Sequence, residues 1–160
     1  MIAVTIIAVG QLKESYFRAA ADEYKKRLSG SCRITETEIR EEKTPENASP
    51  AQITAALEKE AERILEAVPK RSLIVAMCIE GKQMTSEEFA EMIDGAATRG
   101  HSAITFIIGS SHGLSPKVKS AAHVKLSMSK MTFPHKLARV MLFEAVYRAG
   151  EIIVGSKYHK

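Results

Sequence analysis

Four side chains near the carboxyl end have the chemistry to move protons or meet negative charge: His135, Arg139, Tyr158 and His159. An imidazole titrates near neutrality and a phenol can donate or accept, so His135, Tyr158 and His159 are candidates for proton transfer. A guanidinium is a permanent cation, so Arg139 suits negative charge developing on a reacting group, or a phosphate. These residues follow a polar stretch, Leu126-Ser-Met-Ser-Lys-Met-Thr-Phe-Pro-His135, that joins an apolar segment to a helical one. Proline is favoured in the first turn of a helix, so Thr132 or Phe133 should open this one. Taken alone, a terminal Tyr-His-Lys reads as a frayed end, and an exposed histidine usually does nothing.

Other chemistries find little support. The histidines at 101, 112, 123, 135 and 159 have no ligand-type spacing to one another or to a cysteine, so no metal site is expected. Cys32 and Cys78 are far apart and unpaired, as in a reducing compartment. No apolar run is long enough to span a bilayer and the first residues lack a basic leader, so a cytoplasmic protein without membrane contact is expected. The turn Gly109-Ser-Ser-His-Gly113 is not a dinucleotide fingerprint, and no phosphate-binding Walker loop is present.

Charge is divided unevenly. Residues 1–100 hold 14 Lys/Arg against 17 Asp/Glu, a net of −3, whereas residues 101–160 hold 9 against 2, a net of +7. A basic half suits a polyanion such as nucleic acid, and equally suits a solvated surface. Lys117, Lys119, Lys125 and Lys130 would form its rim toward nucleic-acid phosphates.

The elements needed to position these groups alternate along the chain. Ile2–Val9, Ser72–Ile79 and Ala103–Ile108 are continuous apolar runs, as in strands covered on both faces, and Val124–Met128 is a fifth, short strand. Cys32–Ile39 is more polar and fits a sheet edge. Helices are expected over Glu14–Ser29, behind a capping box at Ser49-Pro-Ala-Gln52, behind a second at Thr85-Ser-Glu-Glu88, and briefly after Ser115-Pro116. Charged Arg40–Ser49 reads as a loop. Such alternation over 160 residues gives one α/β domain with a mostly parallel sheet flanked by helices.

In the last helix, Ala138, Met141, Leu142, Ala145, Val146 and Ala149 share a face that should pack on the core. Val140, Phe143 and Tyr147 interrupt the polar side, which suggests a helix that also meets a second copy of the chain. Gly150 should end it.

The stretch Ser-Met-Ser-Lys-Met-Thr-Phe-Pro-His, the Arg-centred helix with Tyr147-Arg148-Ala149 and the terminal Tyr158-His159-Lys160 resemble the bacterial 23S ribosomal RNA pseudouridine N3-methyltransferases, of the SPOUT or α/β-knot superfamily. The resemblance extends to Ile2–Gly10, Glu42-Lys-Thr-Pro-Glu-Asn47, Glu80-Gly-Lys82 and Ile108-Gly109 with Gly113-Leu114. It implies a trefoil knot at the carboxyl end, which topological rules alone would discard. It also implies an S-adenosyl-L-methionine site at Met77, Gly109, Met128, Ser129, Lys130, Met131, Thr132 and Phe133. The resemblance implies a homodimer acting on 23S rRNA. A chain with no room for a separate RNA-binding domain would need the assembled ribosome to present the target, and a tail carrying Tyr158 and His159 is expected to reach the partner's pocket. Gly109 would let the main chain approach the ligand. The chain departs from the family pattern at Met77, Ser110, Ala145 and Gly150. Two other readings stay open, a non-catalytic ribosome- or RNA-binding module and a different nucleotide-binding α/β protein.

Overall fold

Two largely apolar segments, each with one buried threonine (Thr5 and Thr105), form the middle of a sheet in the computed structural model, which describes residues 2–160. They are β1 (Ala3–Val9) and β4 (Ala103–Ile108), paired in parallel from Ala3 opposite Ala103 to Ala8 opposite Ile108. Outside β1 lies β2 (Arg33–Ile39), and outside β4 lie β3 (Ser72–Lys82) and then β5 (Val124–Leu126). The order is β2-β1-β4-β3-β5, with every pairing parallel. The polar strand is therefore at an edge.

Side chains alternate along β1 between two layers, as the pleat requires. Val4, Ile6 and Ala8 join a core beneath α1 (Ser15–Leu28), α3 (Ser86–Asp94) and α5 (His135–Ile153). Ile7 and Val9 face the opposite way, onto α2 (Pro50–Ala67) and α4 (Pro116–Ala121). Both expected capping boxes form, Ser49 with Gln52 and Thr85 with Glu88. A cap of this kind contributes about 1 kcal/mol to its helix.

Three expectations need correction. First, α5 passes through Gly150 and stops at Ile153. The terminating glycine is Gly155, at φ 69°, where Ser156 N donates to Glu151 O and Gly155 N to Ile152 O. That is the paired Schellman closure, which needs a left-handed residue that Gly150 does not supply. Second, the buried stripe of α5 is Arg139, Leu142, Phe143, Val146 and Ala149, while Met141 and Ala145 are only half-buried. The helix packs between α1 and α3, so Phe143, expected on a face toward a second copy, is buried in the chain's own core. Third, β3 extends to Lys82, and its pairing with β5 loses register between Met77 and Lys82.

Candidate functional site

At the carboxyl ends of β3, β4 and β5 the chain leaves a cavity of about 720 Å³, within the usual range for small-molecule sites. Three segments enclose it. The end of β3 supplies Met77 to Glu80, the turn after β4 supplies Ile108 to Leu114, and the loop after β5 supplies most of Leu126 to His135.

The turn is tight for reasons of its own. Gly113 has φ 83° and its N–H donates to Ser110 O at 2.9 Å. A Cβ on Gly109 would collide with the Gly113 carbonyl. Glycine is thus required there by the turn's closure on itself, a different reason from the ligand approach expected of it. The loop after β5 is held by its serines. Ser127 Oγ donates to Ser129 O at 2.9 Å, and Ser129 Oγ accepts from Met131 N at 3.0 Å. Ser127 N in turn donates to Lys82 O at 2.9 Å, tying the loop to the end of β3. Pro134 is the N-cap, one residue outside the helix, and no side chain caps the first turn.

Seven of the eight residues assigned to the methyl-donor site border this one cavity: Met77, Gly109, Met128, Ser129, Met131, Thr132 and Phe133. Lys130 does not; it is exposed on the loop. Met131 is 68% exposed at the mouth, a large apolar side chain left in water. Methionine and phenylalanine walls with backbone donors and acceptors between them fit an adenine-sized ring and its polar edge.

Among the four proton- and charge-handling candidates, His135 alone borders the cavity. Burial pushes its imidazole below the usual value, although the nearby Glu41 carboxylate opposes the shift. A neutral ring can accept a proton. Arg139 is elsewhere. It is 1% exposed, with Nη1 3.1 Å from Glu36 Oε1 and 2.7 Å from Glu38 Oε2, and its Nη2 donates to Gly10 O. Within one chain its charge is matched by carboxylates of β2, so it braces α5 against the sheet edge instead of facing the loop.

Tyr158 and His159 also lie off the cavity. Tyr158 Oη donates to Glu144 Oε1 at 3.3 Å and its ring meets Tyr147 edge-on. Burial and the Glu144 charge push the phenol upward, which keeps its proton on. His159 Nε2 is 2.7 Å from Glu87 Oε1 on α3. A smaller hollow of about 290 Å³ opens on this side, between α3 and α5, and shares Met77 and Met128 with the larger one.

Sequence reasoning gave no role at the site to Cys78, Glu80 or His112, all of which border the cavity. A signal for the first two was present in Gly81, whose backbone lies so close to β5 that a Cβ would be 2.7 Å from Leu126 N. His112 belongs to the Gly109–Gly113 turn, and its Nε2 is 3.4 Å from Thr44 Oγ1, so the loop after β2 reaches the rim of the cavity. Among the described residues, no three His, Cys, Asp or Glu side chains are grouped to hold a metal ion. No helix among them is long and apolar enough to cross a membrane.

The fold and the cavity together define a parallel α/β protein with a nucleotide-sized cavity at the carboxyl edge of its sheet, the place where such folds bind ligands. The comparisons narrow the class. A family model described as "Predicted SPOUT methyltransferase" matches residues 2–159, and the chain belongs to that family. It is similar to the ribosomal RNA large subunit methyltransferase H of Clostridium botulinum (strain Kyoto / Type A2), with 49% identity over 98% of this chain and 99% of the relative. The protein of that name from Clostridium acetobutylicum is also 49% identical, over the same shares of both chains.

Proposed function

We propose that this chain transfers the methyl group of S-adenosyl-L-methionine to N3 of a pseudouridine in 23S rRNA, on the assembled ribosome and as a homodimer. The observation that carries the reading is the cavity itself, bordered by seven residues that the family resemblance implied, from the end of β3, the turn after β4 and the loop after β5. Relatives covered along nearly their whole length, and named for methylating large-subunit ribosomal RNA, support the substrate class.

When bound, the donor supplies a sulfonium-activated methyl group, so no metal is required for transfer. Met77, Met131 and Phe133 would hold its ring, and the Ser127–Thr132 backbone its polar edge. The chain's remaining tasks are to align the acceptor and to take up the N3 proton, because an imide N–H is largely protonated at neutral pH. His135 is neutral and borders the cavity, which suits it to that proton. Tyr158 and His159 lie away from their own chain's cavity, so a part for them requires a second copy, whose tail would complete the pocket. A trefoil knot at the carboxyl end belongs to the same reading, supported by family membership and by β5 lying beside β3 at the sheet edge.

The test is methyl transfer to ribosomes from a strain lacking the gene, with free rRNA and separate subunits as controls. Modification confined to assembled ribosomes and mapped to N3 of a pseudouridine is the expected result. Ribosome binding with neither donor binding nor transfer would leave a non-catalytic RNA-binding module in its place. His159→Ala should lose transfer while keeping its fold, and full activity in that variant removes the tail from the mechanism.

A further inference from the structure

Where β3 leaves register it brings a carboxylate to the cavity. Regular pairing with β5 covers Val75 to Met77 and resumes at Lys82, so Cys78 to Gly81 lie outside the ladder. Gly81 allows this close approach, because a Cβ there would lie 2.7 Å from the backbone of Lys125 and Leu126. A regular strand would turn alternate side chains away. Here four consecutive residues, Met77 to Glu80, border the cavity.

Glu80 is the sole carboxylate among the described residues lining it, and the wall around it is largely apolar. Its partner is Lys119 of α4, 2.5 Å away, with the two side chains 55% and 28% exposed. We propose that Glu80 makes the site selective for the net-positive methyl donor over its zwitterionic, net-neutral product, with Lys119 as the counter-ion when no donor is present. This rests on the methyl-donor reading given above.

The chemistry is a matter of one charge. S-adenosylmethionine carries a sulfonium, an ammonium and a carboxylate, hence one net positive charge at neutral pH. After transfer, S-adenosylhomocysteine keeps the ammonium and carboxylate and loses the sulfonium charge. The two differ in shape by a single methyl group, so shape gives the site little with which to separate them. A fixed negative charge acts on that difference directly, and low-dielectric walls strengthen it. Glu80 is felt inside the cavity: burial first, and then this carboxylate, push the Cys78 thiol upward. Lys119 in turn holds the Glu80 carboxyl below its ordinary range, so the charge is present at neutral pH. His135, kept neutral by burial, adds no opposing charge. Spent product would leave more readily than donor for the same reason.

Calorimetric dissociation constants for S-adenosylmethionine and S-adenosylhomocysteine, on the full chain and on Glu80→Gln and Lys119→Met, test this. Glu80→Gln should weaken donor binding about three- to tenfold and leave product binding within about twofold, a modest ratio because the carboxylate is partly solvated. Lys119→Met should move the donor the opposite way, and high salt should narrow the gap between the two ligands. Equal weakening of both in Glu80→Gln would assign the carboxylate to a group they share and overturn the inference, as would no change in either. A wild-type chain that binds neither ligand sinks the methyl-donor reading itself and this inference with it.

Discussion

Removing the Arg139 guanidinium would leave Glu36 and Glu38 without the cation that lies 3.1 and 2.7 Å from them. Lys25 also reaches Glu36, at 2.9 Å, so the loss is shared and should fall at the low end for a broken buried pair. Arg139→Ala should cost about 3 kcal/mol in urea unfolding. An arginine that only met RNA would lose activity in that variant with its stability intact, so the two measurements together separate a brace from a phosphate ligand. His135 gives a pH dependence of definite sign. Its folded value lies below the ordinary 6.5, so between the two the unfolded chain binds a proton that the folded chain does not. Stability contributed by the neutral ring is therefore present above about 6.5 and falls as pH drops toward the folded value. His135→Gln should flatten that part of the curve of urea midpoint against pH.

At the scale of elements, two glycines in α5 and its cap should respond in opposite directions. Gly150 is inside the helix, and a Cβ there would meet only Ser31 Oγ at 3.6 Å, an ordinary contact. Gly150→Ala should stabilise by about 0.5–1 kcal/mol through helix propensity. Gly155 holds φ 69° in the closing turn, so Gly155→Ala should cost about 1 kcal/mol. Thermal unfolding of the pair checks where the helix ends. Much of this level could be read from the sequence, because strand and helix periods, the two capping boxes and the polar edge strand are all local signals. Gly150 misled because its backbone stays helical and the left-handed closing turn falls at Gly155 instead, a difference of φ that composition does not carry. The buried face of α5 was misjudged for a related reason. Periodicity finds a stripe, but packing between two neighbouring helices covers more than one stripe. The Glu80 excursion was hidden too, since it depends on how β3 and β5 meet across more than forty residues of chain.

On the scale of the whole molecule, charge and cavity share one end. The carboxyl edge of the sheet carries the turn, the loop and the start of α5, all drawn from residues 101–160 with their net charge of +7. Lys117 and Lys125 are exposed on α4 and β5, whose neighbours Lys119 and Leu126 line the cavity. A polyanion approaching that edge would meet cations first, release bound counter-ions and be drawn toward the mouth. The acidic first hundred residues, in contrast, supply α2, α3 and the polar strand β2, so the molecule also has sides that repel RNA. Such a division orients as well as attracts, which matters for a small protein that must present one opening to a very large substrate. The double variant Lys117→Ala/Lys125→Ala should bind ribosomes more weakly, and the slope of log affinity against log salt should become shallower by up to about two. Two alanines placed at exposed lysines of the acidic half, Lys59 and Lys70, should leave that slope nearly unchanged. Equal effects from both pairs would mean that net charge alone drives association and that the edge around the cavity has no special part in it.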